Sequence, residues 1–318
     1  MICLNIASTN PHLNLATEEY LLKNFQDDVL MLWQGSPSII VGKHQNMMAE
    51  VNYPFVHENG IPVARRLSGG GTVFHDLGNV NFTYIANGRD GHVVDFKRFT
   101  QPLVDFLQSK GVPAQLSGRN DILVDGYKFS GNAEHVFKKR VLHHGTLLFS
   151  SNLELLRNGI APTGSSYTDS SVKSFRSKVT NLQSYFPEPL AVHTFKDNLF
   201  DYLVDRHQGE EYHLSSTDLL AIEALSESKY RSWEWNFGYS PDYKFTSAEV
   251  EGFTLFLEVK KGVISDAMLS KMDSKQESGA LVSLVGISHD NFEMISQILA
   301  TTYSVNLSNK EKYKELIY

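Results

Sequence analysis

Residues 65–76 read Arg65-Arg66-Leu67-Ser68-Gly69-Gly70-Gly71-Thr72-Val73-Phe74-His75-Asp76: two arginines, three consecutive glycines, then a β-prone run. Adjacent glycines can take positive φ and bring backbone amides close to a ligand with no Cβ in the way. The arginines add fixed positive charge and fork-shaped donors. These features suit a loop that touches an anion, although a flexible turn with solvated arginines has the same spelling. Two nucleotide loops are excluded: no Gly-Lys-Ser/Thr ending makes a P-loop, and no Gly-x-Gly-x-x-Gly opens a dinucleotide fold.

Around this loop the chain reads as a compact α+β protein. Its 318 residues, 42% apolar and 20% charged, can bury a large core and exceed the usual size of one domain. Cys3 is the single cysteine, so no internal disulfide and no cysteine-based zinc site can form. The start Met1-Ile2-Cys3-Leu4-Asn5 lacks a basic, apolar leader, and no later segment approaches spanning length. A cytoplasmic protein without a membrane partner is expected. A net charge of −7 argues against a general nucleic-acid binder.

Apolar periodicity switches between strand and helix types with no internal repeat. Val29 to Trp33, Ser38 to Val41 and Val80 to Ile85 are predicted strands; Leu15 to Phe25 and Asp95 to Lys110 have helical spacing. Asp125-Gly126 between two β-prone runs predicts a two-residue hairpin that carries Lys128 on its returning strand. After Tyr239-Ser240-Pro241-Asp242-Tyr243 a fresh hairpin pattern begins near Val250, with helical segments near Asn291 and Asn309. The expected domains are 1–243 and 247–318.

A second block, Ser117-Gly118-Arg119-Asn120-Asp121 through Gly126-Tyr127-Lys128-Phe129-Ser130-Gly131-Asn132-Ala133, is followed by His143-His144-Gly145-Thr146. With Asn14-Leu15-Ala16-Thr17-Glu18-Glu19, Arg176-Ser177-Lys178-Val179-Thr180-Asn181-Leu182 and Ser232-Trp233-Glu234-Trp235-Asn236-Phe237-Gly238, these blocks resemble the lipoate-protein ligases in order and spacing over most of the chain. The resemblance implies a large mixed-sheet catalytic domain of the biotin/lipoate ligase type and a small α+β C-terminal domain.

It also implies an activity. Lipoate is activated by ATP, with Mg²⁺, to lipoyl-AMP and pyrophosphate, and a lysine of an acceptor protein then displaces AMP. The implied acceptors are lipoyl domains of 2-oxoacid dehydrogenase complexes and the glycine cleavage carrier protein. By position, Lys128 matches the family's site lysine, with an electrostatic role between carboxylate and α-phosphate. Arg66, Gly71, Thr72, Val73 and Phe74, together with Lys128, match the ATP and adenylate stretch, and Asn120 and Asp121 are candidates beside adenylate or metal. The metal ligands themselves are left open. Trp33, Ser68, Gly69, Gly70, His75 and His144, with Lys128, match the lipoate side, and Val73 also belongs to that wall. Arg65 is expected to be structural.

Glu18 and Glu19 are candidates to shape the lipoate slot, with at least one expected on a solvated helix face. Thr163 to Lys178, rich in serine with Lys173, Arg176 and Lys178, reads as a mobile lid. Two positions depart from the family pattern: Leu67 stands where a serine is expected, and His135 where an arginine is.

Three other functions share this framework. An octanoyltransferase needs a catalytic cysteine, and Cys3 lies far from every motif. A lipoyltransferase keeps the pocket but uses preformed lipoyl-AMP or an acyl-protein donor. A noncatalytic lipoate-binding module would not need Arg66, the glycine loop and Lys128 together.

Overall fold

The computed structural model describes residues 1–88, 94–118, 120–161, 164–175, 177–271 and 279–318. Arg119, Thr163 and Arg176, all named above, lie outside the described residues. The strands are β1 (Ile2–Asn5), β2 (Val29–Trp33), β3 (Ser38–Val41), β4 (Val63–Arg65), β5 (Val73–His75), β6 (Asn79–Asn87), β7 (Ala114–Ser117) and β8 (Asp121–Val124). They continue with β9 (Tyr127–Phe137), β10 (Arg140–Leu148), β11 (Ser166–Asp169), β12 (Glu210–Glu211), β13 (Tyr243–Thr246), β14 (Phe253–Lys260), β15 (Val263–Lys271) and β16 (Gly279–Ala280).

Eight strands form the main sheet in the order β12-β1-β2-β6-β10-β9-β8-β7. It is mixed: β1 runs parallel to β2 and β12, and the other neighbours are antiparallel. Side chains alternate across a strand, so each face gathers its own set. On one face Leu30, Leu32, Val80, Phe82 and Tyr84 pack under the helices Phe96–Ser109 and Val192–His207. Phe149 stacks on Phe195 there at 4.4 Å between ring centres.

The other face holds the candidate site. Val29, Met31 and Trp33 point to it from β2, and the helix Pro11–Asn24 covers it. This face of β6 carries Asn79, Asn81 and Thr83, three buried polar residues that a purely structural core would not favour. The helix is capped by Asn10, whose side chain accepts from the amides of His12 and Leu13, with Pro11 at its first turn. Its polar residues Asn14, Thr17, Glu18 and Glu19 are buried. The expected solvated carboxylate is therefore corrected, since the segment 226–230 packs over the helix from outside and Glu19 bonds Lys229 and Tyr230 there.

A three-stranded sheet, β4-β3-β5, carries the glycine loop between its outer strands. A five-stranded antiparallel sheet, β11-β13-β14-β15-β16, encloses a separate core with the helices Phe292–Thr302 and Lys310–Ile317. Its member β11 comes from the segment read as a lid. Four serine, tyrosine, threonine and aspartate residues make a strand there because β13 offers an open edge to pair with.

Candidate functional site

The two arginines have different tasks. Arg65 is fully buried, and its guanidinium donates to the carbonyls of Gly42, Lys43, Gln45, Trp235 and Asn236 and to Ser240 Oγ. It ties the tryptophan block to the loop beside the site, the structural role expected of it. Arg66 faces the cavity and lies beneath the glycine loop. Its Nη2 donates to the carbonyls of Gly69 and Gly71, each at 2.7 Å, and its Nη1 to Ile40 at 3.1 Å. Burial draws both guanidinium groups down to about 10.

Of the three glycines only Gly70 uses the freedom to take positive φ, 87°. Arg66 occupies the loop's carbonyls, which turns attention to its amides. The Gly70 and Gly71 amides donate to no acceptor among the described residues, and both glycines line the cavity. The Thr72 amide donates to Ser174 Oγ at 2.9 Å.

The first cavity, about 290 Å³, runs from this loop between the main sheet and the helix Pro11–Asn24. Trp33, His75, Asn81 and His144 line it with Leu15 and Val73. His75 packs edge-on against Trp33 at 5.2 Å. Burial, then the Arg66 charge and His144, push His75 down to about 3, so its ring is neutral. Ser68 and Gly69 do not reach the wall. Ser68 sits behind it, bonded to His144 Nε2 at 2.6 Å, and Gly69 lies beside His44. Leu67 packs into the core on the same side, and His135 is half-buried on β9.

Lys128 stands where the hairpin puts it. Asp125 and Gly126 both have positive φ, 48° and 80°, as the two-residue turn requires. The register then shifts: Leu123 pairs with Lys128 and Ile122 with Ser130, which leaves Phe129 as the extra residue of a bulge. Phe129 buries completely while the Lys128 chain lies over Gly131, where an added Cβ would meet Nζ at 3.2 Å. The ammonium pairs with Asp121 Oδ1 at 2.8 Å. Asn120 braces the neighbouring strand, exchanging bonds with Asn132.

A second cavity, about 610 Å³, meets the first at Thr72, Val73, Lys128, Gly131 and Thr146. Its far wall is apolar: Phe74, Leu148, Leu153, Leu156, Ile160 and Val179. The sequence reading found Phe74 but missed the rest, which come from three separated segments. Val179 is placed by a parallel bridge to Lys128, with the Lys128 amide donating to the Lys178 carbonyl and the Thr180 amide to the Lys128 carbonyl. Ser174 and Phe175 stand at the shared mouth, with Phe175 91% exposed.

Among the described residues no group of three or more histidine, cysteine or acidic side chains gathers for a metal. Magnesium beside a nucleotide needs few protein oxygens, since phosphate and water supply the others. Asp121, on the wall of the first cavity beside Lys128, fits that requirement as the carboxylate that would hold it. Cys3 is buried in the opposite core, where burial pushes its thiol up, so it offers no nucleophile to this site. Among the described residues no helix is long and apolar enough to cross a membrane.

The site is thus a mixed sheet with a glycine-and-arginine loop at one face and two cavities joined at a lysine. Residues 10–204 match the family described as the lipoyl protein ligase A/B catalytic domain. The chain is 40% identical over 299 residues to lipoate-protein ligase 1 of Staphylococcus aureus, covering 92% of this chain and 91% of that protein. The chain therefore belongs to the lipoate-protein ligase family of enzymes. Its fold resembles a bi-partite lipoate protein ligase solved with its E2 lipoyl domain from Thermoplasma acidophilum, at a TM-score of 0.64 and 24% identity over 74% of this chain and 96% of that one. It also resembles lipoate-protein ligase A bound with ATP, at a TM-score of 0.61 and 23% identity over 74% of this chain and 98% of that one.

Proposed function

We propose that this chain activates free lipoate with ATP and transfers the lipoyl group to a lysine of an acceptor protein, both steps in the joined cavities. The observation that carries this reading is the junction at Lys128. The slot lined by Trp33 and His144 takes the acyl tail, and the apolar cavity under Leu156 and Val179 takes the adenine. Their mouths meet where the lipoate carboxylate and the α-phosphate must meet. There Lys128 offsets the repulsion of two anions and stabilises the charge that builds on phosphorus. The Gly70 and Gly71 amides and Arg66 supply the other fixed dipoles and charge.

Asp121 is the carboxylate that would hold magnesium, which when bound would neutralise charge on the phosphates. In the second step the acyl carbon stays fixed while AMP is displaced by an entering lysine amine. The acceptor is a lipoyl domain, of a 2-oxoacid dehydrogenase complex or the glycine cleavage carrier. We assign residues 1–243 to the catalytic domain and 247–318 to an accessory domain, supported by the core under the five-stranded sheet, to which the first segment adds Met48 and the strand Ser166–Asp169.

The division of the cavities is tested by Leu156→Glu. A carboxylate in the apolar wall raises the KM for ATP, while calorimetric binding of lipoate alone keeps the wild-type affinity. Weakened lipoate binding with an unchanged KM for ATP reverses the assignment.

A further inference from the structure

We propose that Glu18 is a positioning residue for both ends of the first cavity: through His144 and Ser68 it sets Arg66, and through Thr83 it sets Trp33. The proposal rests on the reading of that cavity as the acyl slot. Glu18 is 3% exposed, and a carboxylate at that depth needs partners. Its neighbour Glu19 has Lys23 of the same helix and, from outside it, Lys229 and Tyr230, which fasten the helix to the fold. Glu18 has instead Thr83 Oγ1 at 2.5 Å and His144 Nδ1 at 3.0 Å. Both partners lead to the cavity wall.

The protons in this chain have one consistent arrangement around a neutral imidazole. An indole and a guanidinium only donate, and an ionised carboxylate only accepts. Trp33 Nε1 therefore donates to Thr83 Oγ1 at 3.2 Å, and the Thr83 hydroxyl donates to Glu18. At the other end Arg66 Nε donates to Ser68 Oγ at 3.0 Å. With its Nδ1 facing the carboxylate, His144 carries its proton there, so Nε2 accepts the Ser68 hydroxyl at 2.6 Å. Ser68 then has its hydrogen committed to His144 and its oxygen to Arg66.

The chain thus begins and ends on residues that line the cavity, while Glu18, Thr83 and Ser68 stand behind it. The acyl slot and the arginine under the glycine loop are held in one register by a single carboxylate. Glu18 is also the acid whose field favours the charged form of Arg66, against the burial that disfavours it.

The test combines ring-¹⁵N histidine spectra of the full-length protein with pyrophosphate-release kinetics for wild type, Glu18→Gln and Thr83→Val. The His144 signal is assigned by its loss in His144→Asn. Wild-type His144 should carry its proton on Nδ1. Glu18→Gln should abolish that preference and also raise the KM for lipoate and lower kcat, each by roughly tenfold, as expected for loss of a charged hydrogen bond. Thr83→Val cuts only the Trp33 arm, so it should raise the KM for lipoate by a similar factor with kcat and the His144 tautomer kept. A wild-type proton on Nε2, Glu18→Gln kinetics within twofold of wild type, or the same kinetic pattern in both variants overturns the proposal. The spectra need no turnover, so a failure of the ligase reading is distinguishable from a failure of this one.

Discussion

Lys128 Nζ and Asp121 Oδ1 lie 2.8 Å apart on the paired strands that the Asp125-Gly126 turn connects. About a quarter of each side chain is exposed, so solvent partly screens the pair and its contribution to folding is modest, roughly 1 kcal/mol. Its value is placement: the carboxylate holds the ammonium at the cavity junction. Lys128→Ala should leave the melting temperature nearly unchanged and reduce lipoate-dependent pyrophosphate release by roughly 100-fold or more, as for other electrostatic groups facing developing charge. A folded variant with near-normal turnover contradicts the role given to Lys128.

The arginine pair should separate by phenotype. Arg65→Ala strands several buried carbonyls and should destabilise the protein by roughly 3 kcal/mol or more, read by chemical denaturation. Arg66→Ala should weaken nucleotide use, raising the KM for ATP and lowering kcat, with a smaller loss of stability. Reversed phenotypes would mean that the roles of the two neighbours have been exchanged.

Ser174 accepts from the Thr72 amide and from Gln45 Nε2, so part of the segment read as a lid already touches the glycine loop, with Val172 exposed and Phe175 exposed at the shared mouth of the cavities. Limited proteolysis within this segment should slow when a nonhydrolysable lipoyl-AMP analogue is bound, because closure orders the backbone. Ser174→Ala should speed cleavage of the free protein. Cleavage indifferent to both changes marks a surface loop without a gating role.

Two buried histidines predict an acid limit. Burial, assisted by Arg66 and His144, pushes His75 to about 3, and burial pushes His289 to about 4 against its bond to the Ile317 carbonyl. The unfolded chain binds these protons near pH 6.5, so each residue favours folding fully above that value and loses its contribution as pH falls toward the folded pKa. Each should account for roughly 2 kcal/mol of the stability lost between pH 7 and pH 5. His289→Gln keeps hydrogen-bonding capacity without titrating there. Denaturation at both pH values should show a smaller loss in this variant, and an equal loss refutes the assignment.

Much of this could be read from residues alone, where the signal is local. The Asp125-Gly126 turn, the helical segments near Asn291 and Asn309 and the strand Val29–Trp33 each depend on their own neighbours. The roles of Trp33 and His144 came from resemblance, since a lone buried tryptophan or histidine is ordinary core. The solvated face expected for at least one of Glu18 and Glu19 was a misreading, because a helix covered on both sides has the same polar spelling as a solvated one. The apolar wall at Leu148, Leu156, Ile160 and Val179 had no contiguous pattern, because only the fold brings those segments together. The strand Ser166–Asp169 was hidden for a related reason: its partner lies nearly eighty residues away.

The most direct test of the junction at Lys128 is pyrophosphate release from the purified protein with ATP and Mg²⁺, with and without free lipoate, before any acceptor is added. Release that depends on lipoate, followed by a single lipoyl mass increment on one lysine when a lipoyl domain is supplied, is the predicted result. Absence of pyrophosphate with both lipoate and octanoate, while supplied lipoyl-AMP is consumed by the acceptor, would contradict activation at this site and leave only transfer.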